Sequence, residues 1–143
     1  MKTPIHINIT INNRVETVWN AYHSAEDIKQ WNHASDDWHC TNAVNDLRIG
    51  GKFSNRMEAK DGSFGFDFEG RYTAIEPFKR IAYTMTDGRS AEVTFDSKDN
   101  ITHLSVAFEP ESTNPIEMQR AGWEAILINF KNYVERVYGD NSH

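Results

Sequence analysis

The sequence predicts an α+β fold in which a curved antiparallel sheet encloses one long C-terminal helix. Three observations support this prediction. An alternation of apolar and polar residues opens the chain at Ile5, similar alternation runs through residues 52–108 between glycine and proline turns, and an apolar stripe with helical spacing occupies residues 115–138. The predicted order is therefore one strand, two short helices, about six strands and a long helix.

The first strand is predicted at Ile5–Ile11, where isoleucine fills every second position. The spacing then becomes helical, at Val15, Val18, Trp19 and Tyr22. Asn13 followed by Glu16 has the form of an N-cap and its capping-box partner, which predicts a short helix. Ser24 begins a second short helix by the same logic, and that helix is expected to end near Trp31.

Turn signals divide the central part of the chain into an antiparallel meander. The pairs Gly50-Gly51, Asp61-Gly62 and Asp87-Gly88 predict chain reversals, and Pro77 stops a strand. Alternation predicts the inward-facing residues Phe53, Asn55, Met57, Ala59, Phe64, Phe66, Phe68, Gly70, Tyr72, Ile81, Tyr83 and Met85. Later strands are marked by Val93, Phe95, Leu104, Val106 and Phe108.

The last element is predicted to be an amphipathic helix over residues 115–138. Asn114 as N-cap, Pro115 at the first helical position and Glu117 two residues on form its start, and Gly139 ends it. Its apolar stripe consists of Trp123, Ile126, Leu127, Phe130, Val134 and Val137. A single helix does not fill the concave side of a strongly curved sheet, so the sequence predicts a cavity between them.

Composition narrows the classes of function. A chain of 143 residues is expected to form a single domain, 1–143, and its formal net charge of −6 argues against nucleic acid or anionic membrane as partner. The single Cys40 forms no intramolecular disulfide, the first residues lack the apolar run of a signal peptide, and no apolar stretch is long enough to span a bilayer. We therefore expect a cytoplasmic location.

Residues 31–40, WNHASDDWHC, concentrate polar and aromatic side chains. Histidine and aspartate are suitable metal ligands, and the candidates are His33, Asp36, Asp37 and His39. Their spacing fits no established metal motif, and surface loops often collect such residues. We interpret the segment as a polar loop at the entrance of the cavity, anchored by Trp31 and Trp38, and expect no metal.

Two further groups of reactive residues are better explained by structure than by catalysis. Asp67 and Glu69 alternate with phenylalanines, so the carboxylates are expected to face water and pair across strands. Cys40 and His39 are adjacent, and adjacent strand residues point to opposite faces, so a buried structural thiol is expected. Phosphate loops, nucleophile elbows and dinucleotide fingerprints are absent from the sequence.

The order of several short motifs resembles the SRPBCC superfamily. The motifs are Val18-Trp19, Trp31, Asp46-Leu47-Arg48-Ile49-Gly50-Gly51-Lys52-Phe53, Met57, Asp61-Gly62, Phe68-x-Gly70-x-Tyr72 and Gly122-Trp123. The pattern is most similar to single-domain bacterial homologues of the activator of the ninety-kilodalton heat-shock protein ATPase. Asn32 departs from it, since the family often has a second aromatic residue there. The resemblance implies a helix-grip (START-like, birch-pollen-allergen-like) fold with a pocket between sheet and helix.

Three functions follow as hypotheses. The first is non-enzymatic binding of a small apolar or amphipathic ligand, without a cofactor. The second is an enzyme of the polyketide cyclase/aromatase or hydrolase type in the same pocket, with His33, His39 or Tyr83 as acid or base. The third is a co-chaperone-like interaction module. The predicted ligand-binding residues are Trp31, His33, Trp38, Asn55, Met57, Phe66, Phe68, Tyr83, Met85, Met118 and Trp123.

Overall fold

The computed structural model describes residues 3–139, and its elements follow the predicted order. The strands and helices are β1 (Ile5–Ile11), α1 (Val15–His23), α2 (Ala25–Trp31), β2 (Trp38–Asn45), β3 (Lys52–Ala59), β4 (Gly65–Glu76), β5 (Arg80–Met85), β6 (Ser90–Lys98), β7 (Ile101–Phe108) and α3 (Ile116–Val137). The predicted α+β class is confirmed.

The strands form one antiparallel seven-stranded sheet in the order β1-β7-β6-β5-β4-β3-β2. The run from β2 to β7 is the predicted meander, and β1 adds beside β7, with Ile5 opposite Phe108. Register shifts in β2, between Cys40 and Asn42, and in β4, after Tyr72, bend these strands. The sheet curls around α3, and the helix-grip fold is confirmed.

The core lies between the concave face of this sheet and α3. Leu127, Phe130 and Val134 form the buried face of the helix. The Phe130 ring packs against Trp31 and Tyr22, with ring centroids 4.7 and 5.3 Å away. Burial of each such apolar side chain contributes roughly 1.5–3 kcal/mol to the free energy of unfolding. These contacts hold the C-terminal half of α3 in place.

The predicted turns are confirmed by backbone geometry. Gly50, Gly62 and Gly88 have φ values of 84°, 77° and 92°, a left-handed conformation that glycine adopts without strain. Strand β4 ends at Glu76, directly before Pro77. The chain reversals were predicted correctly because the backbone conformation of a turn depends mainly on the residues within it.

The predicted helix caps are wrong in detail. Arg14 is the N-cap of α1, and the Asn13 side chain accepts a hydrogen bond from the Arg14 backbone N–H at 2.8 Å. Pro115 is the N-cap of α3, and the side-chain amide of Asn114 donates to the Glu111 carboxylate at 2.8 Å. Ser24 is the N-cap of α2, as predicted, without a side-chain hydrogen bond.

The prediction that Phe64 faces inward is also wrong. The last pair between β3 and β4 is Glu58 with Gly65, so Phe64 lies in the connecting loop and is 61% exposed. Its ring packs against Trp38 and Phe66 at the turn end of the β3–β4 hairpin.

Candidate ligand-binding cavity

A cavity of about 380 Å³ separates α3 from the inner face of strands β3, β4 and β5. This volume is within the range of pockets that hold small molecules. Apolar side chains form most of its wall, including Phe53, Met57, Phe68, Ile81, Ile126 and Leu127. Phe66 and Met118, which are 44% and 60% exposed, also line the cavity and mark its opening to solvent.

The helical wall of the cavity depends on Gly122 and Trp123. A Cβ atom placed on Gly122 would meet no atom within 4 Å, so the cavity reaches the helix backbone at this residue. The neighbouring Trp123 indole stacks on Phe108 of β7, with centroids 4.0 Å apart and an interplanar angle of 10°. Its edge meets Phe68 of β4 at 6.0 Å. Trp123 thus fixes the height of the helix above the sheet.

The sheet wall is built around the Phe53 ring. That ring lies over Gly70 of β4, where an added Cβ would come within 2.8 Å of two ring carbons. Phe53 also meets Tyr83 at a centroid distance of 4.9 Å and Tyr72 at 5.5 Å. Glycine at position 70 therefore leaves room for the aromatic floor of the cavity.

Three tyrosines bring hydroxyl groups into this apolar wall. Tyr22, Tyr72 and Tyr83 all line the cavity. Burial raises the pKa of Tyr72 to about 12 and raises the pKa values of Tyr22 and Tyr83 further. The rings of Tyr72 and Tyr83 lie 6.5 Å apart, centroid to centroid, and charge on Tyr22 or Tyr72 would raise the pKa of Tyr83. All three remain neutral hydrogen-bond donors at physiological pH.

Side-chain amides supply the other neutral polar groups. Asn32, Asn45 and Asn55 line the cavity. Asn45 Oδ1 accepts a hydrogen bond of 3.0 Å from the Tyr72 hydroxyl. Asn55 is only 7% exposed, yet its Oδ1 has no hydrogen-bond partner among the described residues. A buried unpaired amide costs about 1–3 kcal/mol unless water or a ligand satisfies it.

Among residues 3–139, the charged members of the lining are Arg89 and Glu111. Arg89 donates from Nε to Asp87 at 2.7 Å and from Nη1 to the Glu109 carbonyl at 3.2 Å. The Glu111 carboxylate accepts hydrogen bonds from the backbone N–H groups of Thr113 and Asn114. The bond from Asn114 is the largest cause of the lowered pKa of Glu111. Both charged groups are thus already engaged by neighbouring loops.

Most of the predicted ligand-binding residues line this cavity. They are Trp31, Asn55, Met57, Phe66, Phe68, Tyr83, Met118 and Trp123. Trp31 also donates from Nε1 to the Ala21 carbonyl at 3.1 Å, which joins α2 to α1 and places its indole against the cavity.

The remaining predicted residues, His33, Trp38 and Met85, lie outside the lining. His33 follows α2, and its carbonyl oxygen accepts a hydrogen bond from Asn129 of α3. Burial lowers the pKa of its ring, whose Nδ1 has no partner among residues 3–139. Trp38 packs against the rings of the β3–β4 hairpin end, and Met85 is buried beside Gly70 in the solid part of the core.

Several lining residues escaped the sequence-based prediction, notably Tyr22, Asn45, Arg89, Gln119 and Gly122. Gly122 was part of the Gly122-Trp123 motif, and a glycine within an amphipathic helix is a detectable signal of close packing or open space. No comparable local signal marks Tyr22, because it occupies the apolar stripe of α1 like an ordinary core residue. Its position at the cavity depends on how α1 docks.

The alternative chemical centres lack the required geometry. Among the described residues, no group of three His, Cys, Asp or Glu side chains is placed to hold a metal ion. Cys40 is buried, as predicted, donates to the Asn42 carbonyl at 3.3 Å, and has its thiol pKa raised by burial. On the outer face, Asp67 and Glu69 pair with Arg56 and Lys52 at 3.5 and 3.6 Å. Their predicted cross-strand pairing is confirmed.

Comparisons with known proteins agree with this architecture. A solution structure of an AHSA1-like protein from Aeromonas hydrophila is 41% identical, covers 97% of this chain and 98% of its own, and superimposes with a TM-score of 0.87. The solution structure of Chr148 from Cytophaga hutchinsonii is 39% identical, with coverages of 98% and 97% and a TM-score of 0.81. Protein NE0264 from Nitrosomonas europaea shares the fold. It is 15% identical, with a TM-score of 0.81 and coverages of 96% of this chain and 97% of its own.

No curated protein matches the chain. The family profile described as Activator of Hsp90 ATPase homolog 1-like protein matches residues 12–135, which include both short helices, strands β2 to β7 and nearly all of α3. With this match and the two relatives near 40% identity, the chain belongs to the family of activator of Hsp90 ATPase homolog 1-like proteins.

Proposed function

We propose that this protein binds a small apolar or amphipathic molecule in the cavity between α3 and the curved sheet. The observation that carries the proposal is unfilled space of about 380 Å³ whose wall is apolar apart from a few neutral polar groups. Burying apolar ligand surface contributes roughly 25 cal/mol per Å² before the costs of association. The polar groups would orient the molecule.

The enzyme alternative has weaker support. The histidines suggested as acid or base, His33 and His39, lie outside the described lining of the cavity. Tyr83 does line it, but burial raises its pKa well above the ordinary value, so its hydroxyl is a poor base at physiological pH. Arg89 and Glu111 are engaged by loop groups. The site therefore suits retention of a molecule better than proton transfer.

The chaperone-interaction alternative would be supported by a broad apolar patch on the convex face. The outer faces of β3 and β4 carry charged pairs instead, among them Arg56 with Glu58 at 3.0 Å. We therefore rank ligand binding first. We also propose a cytoplasmic location, which the single buried thiol of Cys40 supports. Within residues 3–139, no helix combines the length and hydropathy required to cross a membrane.

A pair of variants at Gly122 tests the proposal. Gly122→Leu places a branched side chain into the cavity, whereas Gly122→Ala adds one methyl group where no atom lies within 4 Å. The probe is 1-aminoanthracene, a neutral dye whose fluorescence rises in apolar surroundings. We expect saturable binding to the wild type and to Gly122→Ala, and a loss of at least about tenfold in affinity for Gly122→Leu.

Equal dye binding by all three proteins would contradict the proposed cavity, as would an absence of binding to the wild type. Thermal unfolding controls for folding of each variant, and Gly122→Ala is expected to be as stable as the wild type or more stable, since alanine favours helix by about 1 kcal/mol. Native mass spectrometry of protein purified from its own host tests the same proposal, because a retained small molecule would add a defined mass.

A further inference from the structure

We infer that the ligand is uncharged at its buried end and carries a hydroxyl group there, which Asn55 and the hydroxyl groups of Tyr22 and Tyr83 bind. This inference rests on the proposed function and specifies the ligand class of the same cavity. It follows from the polar groups that the described part of the chain leaves unpaired, from their neutrality, and from the hydrogen bonds that already engage Arg89 and Glu111.

The Asn55 side chain is the first observation. It is only 7% exposed, lines the cavity, and its Oδ1 has no donor among residues 3–139. Strand pairing fixes its direction, because Asn55 lies between the buried residues Phe53 and Met57 on the inner face of β3. An amide both donates and accepts hydrogen bonds, and so does a hydroxyl group, which makes the two complementary.

The two unpaired tyrosine hydroxyls are the second observation. Tyr72 already donates to Asn45. Within the described chain, no protein group forms a hydrogen bond with the hydroxyls of Tyr22 or Tyr83, although both residues line the cavity. Each can donate to the oxygen of a ligand. Their raised pKa values agree with an environment that disfavours negative charge.

The third observation is the arrangement of charge. Arg89 is the cationic residue of the lining, and it already donates to Asp87 and Glu109, with Glu111 close enough to be affected by its charge. The guanidinium is thus held by the Asp87 carboxylate and the backbone carbonyl of Glu109, with the Glu111 carboxylate nearby. A ligand carboxylate would enter a net negative field and lose its hydration without a free partner, which is costly in an apolar cavity.

Three matched probe molecules test whether the cavity prefers a hydroxyl group over an apolar or an anionic one. Naphthalene, 2-naphthol and 2-naphthoate share one ring system and differ in a single group that is apolar, hydroxyl or anionic. Isothermal titration calorimetry at pH 7 measures each affinity for the wild type, with naphthalene followed by NMR titration where solubility limits the heat signal. We expect 2-naphthol to bind at least about tenfold more tightly than either of the other two.

Two variants test whether Asn55 and Tyr83 cause the preference for 2-naphthol. Asn55→Leu keeps the branched shape and the number of side-chain heavy atoms but removes the amide, and Tyr83→Phe removes only a hydroxyl. Each is expected to weaken 2-naphthol binding by about three- to tenfold more than it weakens naphthalene binding. Asn20→Leu, at an exposed position of α1, is the matched control and should bind all probes as the wild type does.

The outcomes separate this inference from the proposed function. If naphthalene binds as tightly as 2-naphthol, if 2-naphthoate binds tightest, or if Asn55→Leu and Tyr83→Phe weaken all probes equally, the inference is wrong while the cavity still binds small molecules. If none of the probes and no 1-aminoanthracene binds, the proposed function fails and the inference fails with it. Since Tyr83→Phe preserves the ring, it decides the question even if Asn55→Leu does not fold.

Discussion

The indole of Trp123 lies flat against the ring of Phe108, with centroids 4.0 Å apart and planes 10° from parallel. This contact joins the middle of α3 to the last residue of β7, which is fully buried. It holds the helix at a fixed height over the sheet, and the cavity occupies the space beside it. The stack therefore couples the stability of the fold to the shape of the candidate site.

Trp123→Ala is expected to destabilise the protein by about 3 kcal/mol, because it removes a large packed ring and its stacking partner loses a neighbour. Urea unfolding followed by circular dichroism measures the change. Phe64→Ala is the control, since Phe64 is 61% exposed and should cost less than about 1 kcal/mol. A loss for Trp123→Ala no larger than that of the control would contradict the structural role of the stack.

Gly70→Ala is expected to destabilise the protein by about 1–3 kcal/mol, because the new methyl would come within 2.8 Å of the Phe53 ring and 2.9 Å of the Thr84 carbonyl oxygen. Combining it with Phe53→Leu tests the cause. If the ring clash dominates, the double variant is more stable than the sum of the single effects predicts. Strict additivity would instead assign the cost to the backbone contact.

His23 makes the folded state sensitive to acid. Burial lowers the pKa of His23 to about 4, against an opposing effect of its hydrogen bond with the Trp19 carbonyl at 2.8 Å. The unfolded chain binds this proton near pH 6.5 and the folded chain does not until about pH 4. Stability therefore falls as pH decreases through this window, by roughly 3 kcal/mol in all.

Urea midpoints at several pH values between 4 and 7 test this effect. His23→Phe removes the titrating ring and should show a weaker pH dependence than the wild type, since the neighbouring Tyr22 and Tyr72 stay neutral throughout the range. His6→Phe, at an exposed position of β1, should keep the wild-type slope. Parallel pH profiles for the wild type and His23→Phe would refute the assignment.

Cys40 is expected to react slowly with thiol reagents. Its side chain is 5% exposed, its Sγ donates to Asn42, and burial raises its pKa, so little thiolate is accessible in the folded state. Reaction with 5,5′-dithiobis(2-nitrobenzoate) should be at least roughly 100-fold slower in native protein than in concentrated guanidinium chloride. Comparable rates in the two conditions would show that β2 opens readily at this position.

Much of the fold could be predicted from local patterns. The alternation in β3, where Phe53, Asn55 and Met57 face inward, was correct because strand geometry assigns alternate residues to opposite faces. The glycine turns were correct because a positive φ is a local requirement. The error at Phe64 arose because alternation continues across a loop whose ends only the strand register defines.

For the cavity, sequence alone determined its two walls, an inward aromatic sheet face and the apolar stripe of α3. Only the tertiary structure decided which of those residues border empty space. Met85 and Tyr83 share one face of β5, yet Met85 is packed in solid core and Tyr83 lines the cavity. Likewise, the Tyr72 hydroxyl donates to Asn45, whereas Oδ1 of Asn55 has no partner among the described residues. The periodicity of a strand or helix determines to which face each side chain points. Packing and hydrogen-bond pairing depend instead on groups that are distant in sequence and meet only after folding.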